Sequence, residues 1–131
     1  MTFKFELVSP ERVLVSEDVE QVVLPGSEGD FAVLEGHAPF VSTLRPGVLD
    51  VTGPGGRKQL LVRGGFAEVG ATRLTVLAER AHDVAELGGE EIGSQLAAAE
   101  KELADAKDDD ARLTAYTLVE QLKALQAGAR H

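Results

Sequence analysis

Glycine and proline turns recur so often in the first part of this chain that only short elements fit between them. Between residues 24 and 51, turn signals stand at Pro25-Gly26, at 36–39 and at Pro46-Gly47. The apolar runs between these turns hold only a few residues each, which suits strands and is too short for stable helices. This spacing predicts a β-sandwich or a small barrel.

Apolar-polar alternation and a high content of β-branched residues mark the individual strands. The predicted strands are residues 3–8, 12–16, 19–24, 31–34, 40–44, 48–51, 60–62, 66–69 and 74–78. Glu17-Asp18 is predicted to form a turn or a bulge, and residues 52–56 a loop. The five phenylalanines lie in apolar strand runs, and we expect them to pack in the core.

The composition changes near residue 85, which predicts two domains, 1–85 and 86–131. Two helices are predicted, over residues 90–107 and 111–127, because apolar residues recur there at steps of three and four. Asp109 or Asp110 is expected to cap the second helix. The pattern predicts an antiparallel helical hairpin. Its apolar stripe holds few large side chains, so we expect the hairpin to be weakly held.

Charge and composition exclude several classes of function. The formal net charge of −9 argues against a nucleic-acid partner, because such binding depends on Lys and Arg that neutralise phosphates. The chain has no cysteine, which excludes a disulfide framework and a thiolate metal site. Charged residues appear at once near the start, so we expect no signal peptide. No run approaches the ~20 apolar residues of a membrane span, so we expect no direct membrane insertion.

No motif in the sequence indicates catalysis or the binding of a cofactor. Gly26 and Gly29 flank an acidic segment, but the Gly-Lys-Ser/Thr of a phosphate loop is missing. His82-Asp83 is predicted to cap the start of a helix rather than to act as a catalytic pair. The histidines and carboxylates lack the spacing of a metal site. We therefore predict that the chain is not an enzyme and carries neither cofactor nor metal.

Four segments occur in the order PGSEGDF, EGHAPF, LRPGVLDV and GGFAEV. With the two helices that follow, they resemble the epsilon subunit of F-type ATP synthases, the counterpart of the mitochondrial delta subunit, over essentially the whole chain. The resemblance implies a ten-stranded β-sandwich followed by a C-terminal helix-loop-helix. It also implies a non-catalytic rotor subunit of the central stalk, which links the gamma subunit to the ring of c subunits and couples proton flow to ATP synthesis.

The resemblance implies further expectations about place and partners. It predicts a peripheral protein on the cytoplasmic side of the bacterial inner membrane, whose C-terminal helices reach toward the alpha and beta catalytic subunits. The interface with the c ring and gamma is expected at Ser27, Glu28, Asp30 and His37. The two acidic residues fit there because the c-ring loops usually carry a basic residue. For His37 two interpretations stay open: a turn residue that bonds nearby backbone, or a partner contact on an exposed loop.

In many bacterial members of this family the hairpin extends along gamma and blocks ATP hydrolysis. Gly88 and Gly89 are expected to form its hinge, because glycines absorb large backbone changes; the alternative is a plain break between the domains. The resemblance implies that members which inhibit by extension meet an acidic segment of the catalytic beta subunit with basic residues. The first helix is acidic here, which predicts weaker inhibition than in the family's best inhibitors. Its acidic residues are Glu90, Glu91, Glu100, Glu102 and Asp105.

Some members bind ATP through a motif like D/E-L-D-x-x-R-A at the start of the hairpin. Here residues 86–92 are ELGGEEI, with Gly88 in place of the second acid and Glu91 in place of the arginine. A carboxylate repels phosphate where a guanidinium would pair with it. We therefore predict that the chain does not bind ATP physiologically.

A function of a different class fits the same architecture. A β-sandwich can serve as a ligand-binding or adaptor module whose helical hairpin only mediates oligomerisation. Such a module would need a platform of surface aromatic residues, and the expected burial of the phenylalanines argues against one.

Overall fold

A computed structural model describes residues 2–128 of the chain, whose contacts divide it into two compact units, Met1–Ala85 and Glu86–His131. The strands of the first unit are β1 (Phe3–Val8), β2 (Val13–Val19), β3 (Gln21–Gly26), β4 (Gly29–Leu34), β5 (Phe40–Thr43), β6 (Gly47–Gly53), β7 (Gly56–Val69) and β8 (Arg73–Asp83). A 3₁₀ turn follows at Val84–Glu86, and then come the helices α1 (Gly89–Asp105) and α2 (Asp109–Gly128). The predicted class, a β-sandwich followed by an α-helical hairpin, is confirmed.

The strands pair in the order β2-β1-β8-β7-β6-β3-β4, and β5 also pairs with β7. Every pair is antiparallel except β1 with β8, which runs parallel. The long strand β7 carries β6 along its first half and β5 along its second half, while β8 lies beside it on the other edge. The sheet therefore folds over on itself as a sandwich.

One apolar core fills the interior of this folded sheet. In β1 the burial alternates residue by residue, with Phe3, Phe5 and Leu7 facing inward, as the alternating sequence predicts. Within residues 2–128 no polar or charged residue is buried. The core consists of Phe3, Phe5, Leu7, Val19, Val22, Leu24, Val33, Leu44, Leu49, Val51, Leu60, Val62, Ala67, Val69, Leu74, Val76 and Ala78.

The described residues form eight continuous strands rather than ten, because β7 and β8 each run through both layers of the sandwich. The passage occurs at Gly64 and Gly65, where φ is +69° and +131°. These values lie in a region that only glycine adopts at low cost. The β7–β8 pairing misses one step at Gly64 and then resumes in the same register. If β7 and β8 are each counted twice, once on either side of this point, the ten expected strands result.

Two predictions about turns and loops are wrong. Glu17 and Asp18 do not form a turn, since they pair in register with Phe5 and Lys4 inside β2, and the chain bends only at Glu20. Residues 52–56 are not a loop throughout, because Gly53 pairs with Gly56 and only Pro54 and Gly55 lie between the strands. In both places the neighbouring strand supplies backbone hydrogen bonds that outweigh the local turn preference.

The hairpin of the second unit follows its predicted periodicity. The buried residues of α1 are Ile92, Leu96 and Ala99, and those of α2 are Ala115, Leu118, Val119 and Leu122. The predicted cap of α2 is wrong by one residue: Asp108 caps the helix, because its Oδ1 accepts a hydrogen bond of 2.7 Å from Ala111 N–H. Asp109 is already the first helical residue.

Candidate functional site

The residues 27–30, which we call the acidic turn, join β3 to β4. Gly26 pairs with Gly29, so that Ser27 and Glu28 form the two-residue tip of the hairpin. Gly29 has φ of +131°, a conformation that favours glycine. Glu28 and Asp30 are both exposed, while Ser27 is half-buried. The turn therefore presents two carboxylates at the surface on a short, tightly closed loop.

The last residue of β5, Thr43, and the nearby Arg45 both bond to the acidic turn or to the strand that leads into it. Ser27 N–H donates to the carbonyl of Thr43 at 3.0 Å, and Arg45 N–H donates to the carbonyl of Pro25 at 2.8 Å. Two side chains add to these bonds. Thr43 Oγ1 donates to Ser27 Oγ at 2.9 Å, and Arg45 Nε donates to the carbonyl of Ser27 at 2.9 Å. Neither side-chain bond was predicted from the sequence.

Aromatic rings link the acidic turn to the 36–39 turn. The Phe31 ring lies against Gly26, where a β-carbon would stand 2.8 Å from Phe31 Cδ1, and meets the Phe40 ring edge-on at a centroid distance of 5.2 Å. The centroid of the His37 ring lies 5.2 Å from that of Phe40, and Nδ1 of His37 donates to the carbonyl of Ala38 at 2.9 Å. Contacts between the rings thus connect His37 to the acidic turn. The bond to Ala38 is of the kind expected for a turn residue that bonds nearby backbone.

A row of apolar side chains crosses the outer face of the sheet, and the sequence analysis missed it. Val13 pairs with Val8, Val8 with Leu77, and Leu77 with Phe66, while Phe66 pairs with Thr43 of β5. Paired residues lie side by side on one face. We call this row, with the neighbouring Val41, the outer stripe.

The outer stripe corrects the expectation that all five phenylalanines pack in the core. Phe66 is 38% exposed, Leu77 42%, Val13 55% and Val41 64%. The strand period predicted that Phe66 and Ala67 face opposite sides, but it could not decide which side the core covers. Because Thr43 pairs with Phe66 and bonds to Ser27, the outer stripe reaches the acidic turn.

The expected hinge residues belong to the second unit. Gly88 is the N-cap residue of α1, with φ of −75° and ψ of 163° and no side-chain cap, and Gly89 begins the helix. A β-carbon on either residue would meet nothing within 4 Å. The observed conformation therefore does not itself require glycine at either position.

Several features of the described residues bear on catalysis and on ligand binding. Among residues 2–128 no group of at least three His, Cys, Asp or Glu side chains could hold a metal ion. His82 and Asp83 lie at the end of β8, where Asp83 Oδ1 accepts a hydrogen bond of 2.9 Å from Ala85 N–H and so begins the 3₁₀ turn. A groove of about 440 Å³ beside Arg57 and Asp83 has no aromatic lining. Within the described part of the chain, no helix is long and apolar enough to span a membrane.

Comparisons with known proteins identify the family. The family described as ATP synthase, Delta/Epsilon chain, beta-sandwich domain matches residues 2–84. The ATP synthase epsilon chain of Parvibaculum lavamentivorans is 50% identical over 123 residues, or 93% of each chain. That of Maricaulis maris is 47% identical over 127 residues, covering 97% of this chain and 96% of the relative.

Among solved structures, the chain is similar to part of the Euglena gracilis mitochondrial ATP synthase, determined with OSCP, F1 and the c-ring in rotational state 1. The TM-score is 0.71 at 25% identity, covering 97% of this chain and 81% of that chain. The sandwich, the hairpin, and these matches along almost the whole length agree with each other. The chain therefore belongs to the ATP synthase epsilon chain family, as a non-catalytic accessory subunit of that complex.

Proposed function

We propose that this protein is a rotor subunit of the central stalk of an F1Fo ATP synthase, where it links the gamma subunit to the c ring. Membership of the epsilon chain family supports the role, and the Euglena structure that resembles the chain contains F1 and the c-ring. The single structural observation that carries the proposal is the acidic turn, which holds Glu28 and Asp30 exposed on a braced loop.

The acidic turn fits a basic loop on the c ring. Glu28 and Asp30 stand on either side of Gly29, so one partner loop can meet both carboxylates. Exposed ion pairs contribute only about 0–1 kcal/mol each. Such pairs fix the register and orientation of two partners more than they add affinity. A rotor subunit needs that register, because torque passes between the ring and the stalk.

The outer stripe fits the gamma subunit. Phe66 and Leu77 pair directly across β7 and β8, and both are substantially exposed. A subunit that stays attached while the stalk turns gains most of its affinity from apolar area removed from water. Thr43 joins the stripe to the acidic turn, so gamma and the c ring would contact adjacent surfaces of one rigid unit. His37, half-buried beside Phe40, would lie at the border of this interface.

The hairpin would regulate ATP hydrolysis only weakly. We infer a hinge at Gly88 and Gly89 because neither residue is required to be glycine in the observed conformation. The two consecutive glycines would instead allow the backbone to change conformation when the hairpin extends. The acidic residues of α1 repel an acidic segment of the catalytic beta subunit, which makes the extended, inhibitory conformation less stable. By the same proposal, the complex places the protein on the cytoplasmic side of the bacterial inner membrane, peripherally.

A charge-reversal experiment tests the contact with the c ring. Glu28→Lys with Asp30→Lys should reduce ATP-driven proton pumping and loosen retention of the subunit during washing of the membranes. The matched control is Glu11→Lys with Glu20→Lys, two exposed acids elsewhere on the same unit, which changes the net charge equally. Unchanged pumping and retention in the Glu28/Asp30 variant would contradict the proposed contact.

A further inference from the structure

We propose that Arg45 is a positioning residue that fixes the acidic turn in its partner-binding shape. This inference rests on the proposed function of Glu28 and Asp30 and concerns how the two carboxylates are held. Arg45 lies 18 residues from Ser27 in sequence, and the contact between them is part-buried. No sequence motif assigns this arginine a role.

The contacts around Ser27 form a brace between two segments that are remote in sequence. Leu44 forms a bridge with Gly26, and its N–H donates to the carbonyl of Gly65 at 3.0 Å. The side chain of Leu44 is buried in the core, 6% exposed. Arg45, which follows directly, is therefore anchored by its own neighbour. Its backbone N–H donates to Pro25 at the end of β3, and its Nε–H donates to Ser27 of the acidic turn.

The part-buried carbonyl of Ser27 accepts the hydrogen bond from Arg45 Nε–H. It opens the peptide that leads to Glu28, so its direction sets where the Glu28 side chain departs from the turn. A part-buried carbonyl that loses its donor seeks another partner or water, which reorients the peptide. A guanidinium Nε–H, held in a rigid plane, is better suited to fix that direction than a flexible ammonium group.

A positioning role of Arg45 and a purely electrostatic role predict opposite changes in affinity. Arg45 is a cation whose side chain bonds to Ser27, the residue directly before Glu28, so removing its charge makes the surroundings of the acidic turn more negative. Coulomb's law alone then predicts tighter binding to a basic partner. A positioning role predicts the opposite, namely weaker binding, because the carboxylates lose their fixed arrangement. The sign of the change in affinity therefore decides between the two.

The experiment measures rebinding of the purified full chain to membranes whose ATP synthase has been stripped of this subunit. Arg45→Gln should raise the Kd by about threefold to tenfold, which lies below the roughly thirtyfold that two exposed ion pairs can supply at most. The matched control Arg57→Gln, an arginine that pairs with Asp50 at the β6–β7 end, should leave the Kd unchanged or lower it slightly. Hydrogen exchange at the Ser27 and Glu28 amides should accelerate in Arg45→Gln and not in the control.

A double-mutant cycle separates positioning from general stability. In the background Glu28→Gln with Asp30→Asn, Arg45→Gln should have no further effect on the Kd, because no carboxylates are left to position. An equal loss in both backgrounds, or tighter binding by Arg45→Gln alone, would overturn the inference. If the acid-neutral variant itself binds normally, the proposed contact fails and the positioning role fails with it.

A second variant covers the case in which Arg45→Gln does not fold. Thr43→Val keeps the shape of the side chain but removes the hydroxyl that donates to Ser27 Oγ. It should weaken binding in the same direction and by a smaller factor, again only when Glu28 and Asp30 are present. An unchanged Kd in a folded Thr43→Val protein would count against the brace.

Discussion

The backbone of Gly65 in β7 packs directly against the carbonyl of Leu77 in β8. A β-carbon on Gly65 would overlap the Leu77 carbonyl oxygen and lie 2.9 Å from the Cα of Ala78. With φ of +131° at Gly65, the strand can pass from one layer of the sandwich to the other without separating from its neighbour. The motif GGFAEV thus has a structural reason: its second glycine admits the close approach, and Phe66 then points outward.

Gly65→Ala should be strongly destabilising, by about 2–5 kcal/mol, because it combines a disfavoured φ with a clash against backbone. Chemical denaturation followed by circular dichroism measures the loss. Gly55→Ala is the control, since a β-carbon there meets nothing within 4 Å. Equal stability of both variants would show that the strands can separate at this point.

Asp108→Ala should lower the stability of the hairpin by about 1 kcal/mol, since the N-cap bond to Ala111 is lost. Hydrogen exchange at the amides of the first turn of α2 reports the change locally. Asp109→Ala should have a smaller effect, because its carboxylate is fully exposed and only faces Arg112 at 3.5 Å. A larger loss of stability in Asp109→Ala would show that Asp109 caps the helix, as the sequence predicted.

Phe66→Ser combined with Leu77→Ser should weaken attachment to the complex while the isolated protein stays folded. Covering the exposed parts of both side chains contributes about 1–2 kcal/mol, or roughly fivefold to thirtyfold in Kd. The control Leu113→Ser removes a leucine of α2 that is 54% exposed. If the double variant attaches as well as the unmodified protein, the outer stripe is not part of the interface with gamma.

ATP should not bind the isolated chain at physiological concentrations. In the ATP-binding motif that the family resemblance predicts, Glu91 takes the position of the arginine, and a carboxylate repels the phosphates. Isothermal titration of the full chain with ATP should give no binding heat. Glu91→Arg alone is not expected to create a site, since Gly88 still replaces an acid of the motif. A micromolar affinity of the unmodified chain would refute the prediction.

Removal of the hairpin from Glu90 onward should raise ATP hydrolysis by the reassembled complex only modestly, by less than about threefold. The reason is that an acidic α1 gains little from an acidic partner surface. The rate of hydrolysis with and without the hairpin is the measurement, at equal occupancy of the subunit. A large increase would show that the hairpin inhibits strongly despite its charge.

Much of the fold could be predicted from local patterns. Alternation placed Phe3, Phe5 and Leu7 on the buried face of β1, and the three- and four-residue steps placed Ile92, Leu96 and Ala99 on one helix face. Each of these patterns is a repeat between near neighbours in the chain. The motifs around Ser27, Glu28 and Asp30 also marked the surface that we now propose as the partner contact.

Predictions were wrong where a neighbouring element outweighs local preference, as at Glu17-Asp18, where β1 supplies the pairing partner. The cap of α2 differed by one residue because Asp108, Asp109 and Asp110 are chemically equivalent in the sequence. Only the geometry of the helix start decides which carboxylate reaches an amide. Phe66 was expected in the core because an apolar residue in a strand does not reveal which face the core covers.

The sequence by itself determined the class of each element, the family, and the acidic character of the turn, because these depend on residue types and short spacings. Only the tertiary structure decided that β1 pairs in parallel with β8, that Phe66 and Leu77 share an exposed face, and that Arg45 braces Ser27. Those relationships join residues far apart in the chain. They arise when the whole sheet closes around one core, and no local pattern records which distant segments then become neighbours.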